Sequence, residues 1–291
     1  MGDTGAFTPV LDDLAFNFDG TLWGSGASGG LRSFDGDAWT RHSARPWRTE
    51  LADDAFTFDF RGVVDLTEAP DGTLYGITEG MDLAKVEDGE VRRRALGSGG
   101  AGMWLAARAV AITPDGTIWI GGRRGNGVGI FADTKTGMLL RLDGLSSELA
   151  TPLGAGVHPY VADLAVAPDG ALWALLRTAD DSHLARYDGQ TWTAYSSADG
   201  LPEVGARTFA GSGDRLAVGP DGRVWFSLFH HTPEEPVTEG DGIVEFDGES
   251  FVHYLGGARV EDLAIASDGS VWTTTDQGLY VITPGPMTGT E

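Results

Sequence analysis

Residues 161–176 read Val-Ala-Asp-Leu-Ala-Val-Ala-Pro-Asp-Gly-Ala-Leu-Trp-Ala-Leu-Leu, and this stretch decides the fold. Apolar residues alternate with others on both sides of the Asp-Gly pair, which is typical of two β-strands joined by a short turn. Glycine, and tolerably aspartate, accepts the positive φ that hairpin turns demand. The stretch therefore predicts a β-hairpin whose turn contains Asp169.

The same hairpin signature recurs six times along the chain. Successive turn aspartates lie 52, 44, 54, 52 and 47 residues apart, with an aromatic residue four positions after each. The six pairs are Asp19 and Trp23, Asp71 and Tyr75, Asp115 and Trp119, Asp169 and Trp173, Asp221 and Trp225, and Asp268 and Trp272. A repeat of this length suits a four-stranded propeller blade with loops of unequal length. We expect the repeated aromatics to pack between blades.

A second Asp-Gly turn follows in most of the repeats. It stands at Asp35, Asp88, Asp188 and Asp247. Each of these repeats thus has two signalled hairpins, and helical periodicity is absent along the chain. The sequence predicts an all-β protein, a six-bladed β-propeller with four antiparallel strands in each blade.

The two ends of the chain bear on how the ring closes. After Trp272 only one further strand is evident, at residues 278–282. Residues 3–8, Asp-Thr-Gly-Ala-Phe-Thr, align with the fourth-strand sequence of residues 35–40, Asp-Gly-Asp-Ala-Trp-Thr. We therefore predict that the N-terminal strand completes the sixth blade, which removes a free sheet edge. Residues 1–291 are expected to form a single propeller domain.

Two motifs of the repeat resemble a known family. They are Asp-Leu-Ala-x-x-Pro-Asp-Gly-x-(Leu/Ile/Val)-Trp and Gly-Leu-x-x-(Phe/Tyr)-Asp-Gly-x-x-Trp, and they span essentially the whole chain. The pattern is similar to the two-component-regulator propeller repeat and to streptogramin B lyase-like propellers. This resemblance implies a sensor domain or an enzyme scaffold. The lyases use a divalent metal with His and Glu residues, on a propeller usually of seven blades, and no His-x-Glu or Glu-x-His pair occurs here.

Composition narrows the class of partner. Lysine and arginine number 20 against 43 aspartates and glutamates, so the net charge of −23 repels phosphate backbones and anionic membranes. We expect no nucleic acid partner, no membrane insertion and a monomer. Cysteine is absent, which excludes disulfides and thiolate metal sites. The N-terminus has no basic or apolar leader, so we expect a cytoplasmic protein as given, or an extracellular sensor domain excised from a longer receptor.

The long connections indicate where a ligand would bind. In a propeller the A–B and C–D turns emerge at one face, here called the turn face. The B–C and D–A connections emerge at the other, here called the long-loop face, and binding residues usually lie in such loops. The candidate ligand-binding residues there are Trp47, Trp104, Arg123, Arg124, His158, Tyr160 and Arg215.

A column of polar residues stands six positions before each turn aspartate. It reads Asp13, Asp65, Ala109, Asp163, Arg215 and Asp262. On the innermost strands these residues should come near the mouth of the channel, where Asp13, Asp65, Asp163 and Asp262 could bind a cation such as Mg²⁺ or Ca²⁺. The alternative is that each carboxylate accepts hydrogen bonds from backbone N–H groups of the neighbouring blade.

Catalysis has one candidate segment, His230-His231-Thr-Pro-Glu234-Glu235. Histidine titrates near neutral pH and glutamate can orient it, so His230 or His231 with Glu234 could supply a general base or a metal ligand. Adjacent histidines of an extended segment point in opposite directions and do not easily share one metal.

Three functions remain open from the sequence. The first is a binding or sensing propeller that takes a small molecule, peptide or protein at the long-loop face. The second is a metal-assisted lyase or hydrolase, and the third is a structural hub for protein interaction. A pocket with no convergent acid–base pair favours the first, an inward-facing histidine near a channel carboxylate favours the second, and a flat apolar patch favours the third.

Overall fold

The chain is an all-β six-bladed propeller, as the repeat predicts. The computed structural model describes residues 13–16, 21–25, 31–42, 45–46, 63–78, 82–87, 90–96, 104–125, 137–144, 146–178, 181–202, 215–227, 242–258 and 260–285. Within these ranges the regular structure is β-strand, apart from one 3₁₀ turn at Ser197–Asp199. The described ranges contain no helix long and apolar enough to cross a membrane.

The first three blades take their strands in chain order. Blade 1 consists of β1 (Asp13–Phe16), β2 (Leu22–Ser25), β3 (Arg32–Phe34) and β4 (Trp39–Arg41). The short β5 (Arg45–Pro46) joins blade 2, which consists of β6 (Val63–Glu68), β7 (Leu74–Thr78), β8 (Asp82–Glu87) and β9 (Glu90–Ala95). Blade 3 consists of β10 (Trp104–Ile112), β11 (Ile118–Gly125), β12 (Gly137–Asp143) and β13 (Ser146–Leu149).

The last three blades follow the same order. Blade 4 consists of β14 (Tyr160–Val166), β15 (Leu172–Arg177), β16 (Ser182–Tyr187) and β17 (Trp192–Tyr195). Blade 5 consists of β18 (Leu216–Val218), β19 (Val224–Ser227), β20 (Ile243–Phe246) and β21 (Phe251–Tyr254). Blade 6 consists, in the described residues, of β22 (Val260–Ile265), β23 (Val271–Thr275) and β24 (Gly278–Ile282).

Each strand pairs antiparallel with the next one in its blade, so four antiparallel strands are present in blades 1 to 5. Blade 2 departs from the pattern because β5 adds a fifth, parallel strand at its outer edge, beside β9. Residues 3–8, predicted to supply the fourth strand of blade 6, lie outside the described residues.

The Asp-Gly turns differ from the prediction in the role of the aspartate. In the five A–B turns that the structure describes, the glycine has φ between 81° and 86°, but no aspartate has a positive φ. The aspartate acts through its side chain, as where Ala171 N donates to Asp169 Oδ1 over 3.0 Å. Ala167 N also donates to Ala171 O across the turn, which leaves a three-residue loop closed by a left-handed glycine. Only glycine takes that backbone conformation without strain.

The core lies between neighbouring blades. The innermost strands pack side by side in order, from β1 against β6 through to β18 against β22. The turn tryptophan of one blade contacts the next blade: the Trp119 ring lies 5.2 Å from Tyr187 and 5.8 Å from Trp192 between ring centroids. The Trp173 centroid likewise lies 6.0 Å from that of Phe246. This packing confirms the expected role for Trp119 and Trp173, whereas Trp272 of blade 6 departs from it.

Among the described residues, none covers the corresponding face of blade 6. Trp272 is 45 % exposed, and Leu279 and Val281 on the same face of the sheet are 62 % and 49 % exposed. We call these three residues the open face of blade 6. Val281 pairs with Trp272, whereas the residue that pairs with the turn aromatic is polar in every other blade. Those partners are Ser33, Lys85, Arg141, Arg186 and Glu245.

Candidate functional site

A β-bulge precedes the polar column in the innermost strands. The register shifts between Val63 and Asp65, and likewise between Ala107 and Ala109, Val161 and Asp163, and Val260 and Asp262. A bulge inserts one residue and bends the strand, which redirects the side chain that follows. The same local distortion therefore sets the column position in these four blades.

Two carboxylates of the column bond to the neighbouring blade. Val110 N donates to Asp65 Oδ2 over 2.6 Å, and Leu216 N donates to Asp163 Oδ2 over 2.7 Å. In each case the donor belongs to the innermost strand of the next blade. This geometry supports the second interpretation of the column, in which the repeated aspartate ties adjacent blades together. Asp13 begins β1, and its side chain lies outside the described residues.

The hydrogen bonding between blades differs at Ala109 and Arg215, the two column positions that are not aspartate. Ala109 of blade 3 offers no acceptor to blade 4, and Leu164 N there donates to Asp163 Oδ1 of its own blade over 2.8 Å. At the next departure Arg215 Nε donates to Asp262 Oδ1 over 3.0 Å, which links blades 5 and 6 through an ion pair. The Asp262 side chain is 66 % exposed and that of Arg215 is 33 % exposed. Here the column presents charge to solvent.

The described residues contain no group of three or more His, Asp or Glu side chains that could hold a metal ion. Asp65 and Asp163 each use a carboxylate oxygen on backbone N–H groups, as above. The predicted binding of Mg²⁺ or Ca²⁺ by this column stays a prediction, since the side chain of Asp13 is outside the described part.

The long-loop face brings Arg123 and His158 to one place. Gly137 pairs with Arg123 in the β11–β12 register, and Gly137 N donates to the backbone oxygen of His158 over 2.9 Å. The connection runs so close to β12 that a Cβ at position 137 would overlap the Pro159 carbonyl. Glycine is required there by the close approach of two backbones. Arg123 and His158 are both half-buried.

Tyr160 lies deeper than the other candidates. It is 7 % exposed and belongs to the core between blades 4 and 5, with Leu175 and Phe226. It opens β14 opposite Arg177. Little of its side chain is therefore accessible to a ligand, and its role in binding stays a prediction.

Several candidates fall wholly or partly outside the described residues. Trp47 and the catalytic candidates His230, His231 and Glu234 are among them. For Trp104 and Arg124 the structure describes the backbone, which pairs in the adjacent registers Trp104 with Gly125 and Leu105 with Arg124. Their side chains lie outside the description.

A clamp on the long-loop face was missed by sequence reasoning. Asp181, between β15 and β16, accepts hydrogen bonds from Ser197 Oγ over 2.8 Å and from Ser197 N over 3.3 Å. The carboxylate thereby ties the B–C turn of blade 4 to the connection that leaves the blade. Burial lowers the pKa of the nearby His183, and Asp181 partly opposes that shift. Asp181 and its partner lie 16 positions apart, so no local sequence pattern signals this contact.

No protein-family model matches the chain, and no curated protein matches it. Solved structures resemble it in fold. The extracellular domain of a B. thetaiotaomicron protein assigned to the one-component systems, BT4673, has a TM-score of 0.59 and 16% identity over 96% of this chain. This chain spans 32% of the length of that extracellular domain.

Two further structures show the same fold. YCF48 bound to D1 peptide has a TM-score of 0.56 and 16% identity, over 96% of this chain and 79% of its own. PorZ, a surface component of the type-IX secretion system of Porphyromonas gingivalis, has a TM-score of 0.58 and 16% identity, over 94% of this chain and 40% of its own. At such identities these similarities establish a shared β-propeller fold alone.

Proposed function

We propose that the chain is a ligand-binding or sensing propeller that receives a small molecule, peptide or protein at its long-loop face. The observation that carries the proposal is the exposed Arg215–Asp262 ion pair. Asp65 and Asp163 are used to hold blades together, whereas this pair carries solvent-exposed charge. Arginine is well suited to a carboxylate or a backbone carbonyl because its guanidinium presents several donors in one plane.

The long-loop face also has a rigid frame for such a ligand. Asp181 and Ser197 fasten one edge of blade 4, and the Gly137 contact holds His158 beside Arg123. Binding to a preorganised surface loses less conformational entropy than binding to one that must order itself. This frame supports recognition by Arg123, His158 and Arg215, with Trp47 and Trp104 as further proposed contacts.

The class of ligand is proposed by analogy with the similar structures. YCF48 was solved with a peptide, and BT4673 contributes an extracellular domain. By analogy we infer a peptide or small-molecule ligand and an extracellular or surface setting, with a cytoplasmic setting as the alternative.

The test is a selection for binders followed by variants of the two arginines. Random peptides displayed on phage and a library of carboxylate-bearing small molecules are selected on the wild-type protein, and affinities are measured by isothermal titration calorimetry. We expect Arg123→Ala/Arg215→Ala to weaken binding about tenfold or more, because a hydrogen bond to a charged group contributes about 1.5–3 kcal/mol.

The matched control is Arg186→Ala. Arg186 also pairs with an aspartate, Asp169, but stands at the turn face. It should leave affinity unchanged. Binders that lose affinity in Arg186→Ala and keep it in the double variant would contradict the proposal.

A metal-assisted lyase or hydrolase using His230, His231 and Glu234 stays the alternative. It predicts that Mg²⁺, Ca²⁺, Mn²⁺ or Zn²⁺ raises the unfolding temperature, since a bound metal stabilises the folded state by mass action. It also predicts that Asp163→Asn or His231→Ala abolishes the rise. The sensing proposal predicts no rise with any of these metals, so a thermal-shift titration separates the two.

A further inference from the structure

A concave surface lies at the turn face, away from the site proposed above. It is a depression of about 510 Å³ where β6, β10 and β14 end, beside the A–B turn of blade 2. Its lining residues are Glu68, Ala69, Pro70, Asp71, Gly72, Ile112 and Val166.

The repeat explains the apolar part of the lining, which is about equal to its polar part. Ile112 and Val166 stand three residues before the turn aspartates of their blades, and the same position in the other blades holds Phe16, Val218 and Ile265. In blade 2 this position is Glu68. One carboxylate therefore interrupts a set of large apolar side chains, and it does so at the depression.

Glu68 has no structural task that would account for this exception. Within the described part of the chain, no hydrogen bond or ion pair involving its carboxylate is found, and its side chain is exposed. An exposed glutamate is ordinary at a protein surface, but this one occupies a repeat position that is apolar in the other five blades. Glu68 is thus available to a ligand.

The second carboxylate at the depression is partly engaged. Asp71 Oδ1 accepts a hydrogen bond from Thr73 N over 2.9 Å. Backbone hydrogen bonding from Thr73 lowers the pKa of Asp71, so it stays ionised at neutral pH. No lysine, arginine or histidine lines the depression. The charge of Lys85 acts on Asp71 from outside the lining, and the two lining carboxylates leave the depression negative on balance, which repels anions.

We propose that this depression binds an organic ammonium ion whose apolar body contacts Ile112 and Val166 and whose charged nitrogen contacts Glu68. A bare metal ion fits less well because Ca²⁺ takes about six to eight oxygen ligands, and only two carboxylates are present, one of them already engaged. The net charge of −23 draws cations toward the surface at long range.

The test uses 2-phenylethylammonium chloride as the probe, followed by saturation-transfer NMR and calorimetry on the full chain. Two matched compounds separate the contributions: 2-phenylethanol keeps the ring without the charge, and methylammonium keeps the charge without the ring. We expect saturable millimolar binding of the probe and at least threefold weaker binding of both controls. Equal binding of 2-phenylethanol would overturn the proposal.

Variants show where on the protein the probe binds. Glu68→Gln should weaken binding of the probe about three- to tenfold, as expected for the loss of a partly screened charge contact. Val166→Thr, which keeps the side-chain shape but adds a hydroxyl, should also weaken it. Glu249→Gln makes the same charge change at the exposed C–D turn of blade 5 and should have no effect. If Glu249→Gln weakens binding as much as Glu68→Gln, attraction by net charge alone explains the result and the site is excluded.

The outcome is independent of the long-loop site. Arg123→Ala/Arg215→Ala should leave 2-phenylethylammonium binding unchanged, because both arginines lie toward the other face. Loss of probe binding in that double variant would place the cation at the long-loop face and overturn this assignment.

Discussion

At the scale of single residues, polar side chains act mostly by closing short backbone loops. Asp188 Oδ1 accepts from Gln190 N over 2.8 Å and from Thr191 N over 2.7 Å, and Asp247 does the same for Glu249 and Ser250. Each turn thus needs an ionised carboxylate at one position. The sequence predicted where the turns lie because the signal is local. On the sequence alone, a positive φ is allowed for the aspartate. An Asp-Gly pair alone does not show whether the aspartate acts through its backbone conformation or through its side chain.

This dependence predicts acid sensitivity. Hydrogen bonds from the turns lower the pKa of Asp35, Asp188 and Asp247 from the ordinary value of 3.8. A carboxylate with a lowered folded-state pKa contributes stability that is present above its unfolded-state pKa. We therefore expect the free energy of unfolding to hold above about pH 5 and to fall as pH drops through 3.8 and below. Urea denaturation at a series of pH values measures this.

The control for that prediction is the Asp188→Asn/Asp247→Asn variant. It keeps an acceptor oxygen but cannot titrate, so its stability should fall less steeply below pH 4 than that of the wild type. An unchanged slope would show that other carboxylates govern acid unfolding.

Tyr254 belongs to a hydrogen-bonded network with Glu245 and Arg223, which the sequence analysis did not predict. Its hydroxyl donates to Glu245 Oε2 over 2.6 Å, and Glu245 Oε1 lies 3.1 Å from Arg223 Nε. Burial, with the contact to Glu245, raises the pKa of Tyr254 to about 12. Tyr254→Phe should cost about 1–2 kcal/mol because the buried carboxylate loses a donor. Thermal or urea denaturation checks this.

The matched control is Tyr195→Phe, since Tyr195 ends β17 as Tyr254 ends β21. Within the described residues no hydrogen bond of its hydroxyl is found, so the change should be nearly neutral. Equal losses in the two variants would contradict the network's importance.

At the scale of elements, the bulged innermost strand is the unit that joins blades. The bulge places Asp163 so that one carboxylate serves Leu164 of its own blade and Leu216 of the next. Sequence reasoning identified the column and both interpretations of it. It did not identify the bonded partners, because the donor in blade 5 lies 53 positions from its acceptor and only the folded ring brings the two together.

Asp163→Ala should destabilise the chain by about 2 kcal/mol or more, since two backbone donors lose their acceptor. Asp163→Asn keeps one acceptor oxygen and should cost less. Urea denaturation gives both values. A larger loss for the asparagine variant would mean that the charge, rather than the hydrogen bonds, matters at this position.

At the scale of the whole molecule, each blade is stabilised by its neighbours, so the junction between blades 6 and 1 decides whether the ring is uniform. Four turn tryptophans, Trp23, Trp119, Trp173 and Trp225, are buried, whereas Trp272 is not. The repeat predicted six equivalent blades because it reports local strands and turns. The exposure of Trp272 depends on which residues of the neighbouring blade pack against its sheet face. The sequence of a single repeat does not encode that contact.

The predicted closing strand is tested by deletion. Removing residues 1–8 should lower the unfolding temperature by several degrees and raise aggregation, because β24 would lose the partner that residues 3–8 are predicted to supply. Scanning calorimetry and light scattering measure the two effects. Removing residues 287–291 is the control and should leave both unchanged. If the two deletions behave alike, closure by the N-terminal strand is wrong.

The exposed indole of Trp272 also has an optical consequence. A tryptophan in contact with water emits at longer wavelength than one in a dry core, and a collisional quencher reaches it first. Because the molecule is strongly anionic, caesium ions approach this ring more readily than iodide does. Whatever covers the open face of blade 6 would shift the emission to the blue and slow the quenching, so the protein carries its own fluorescent reporter of that junction.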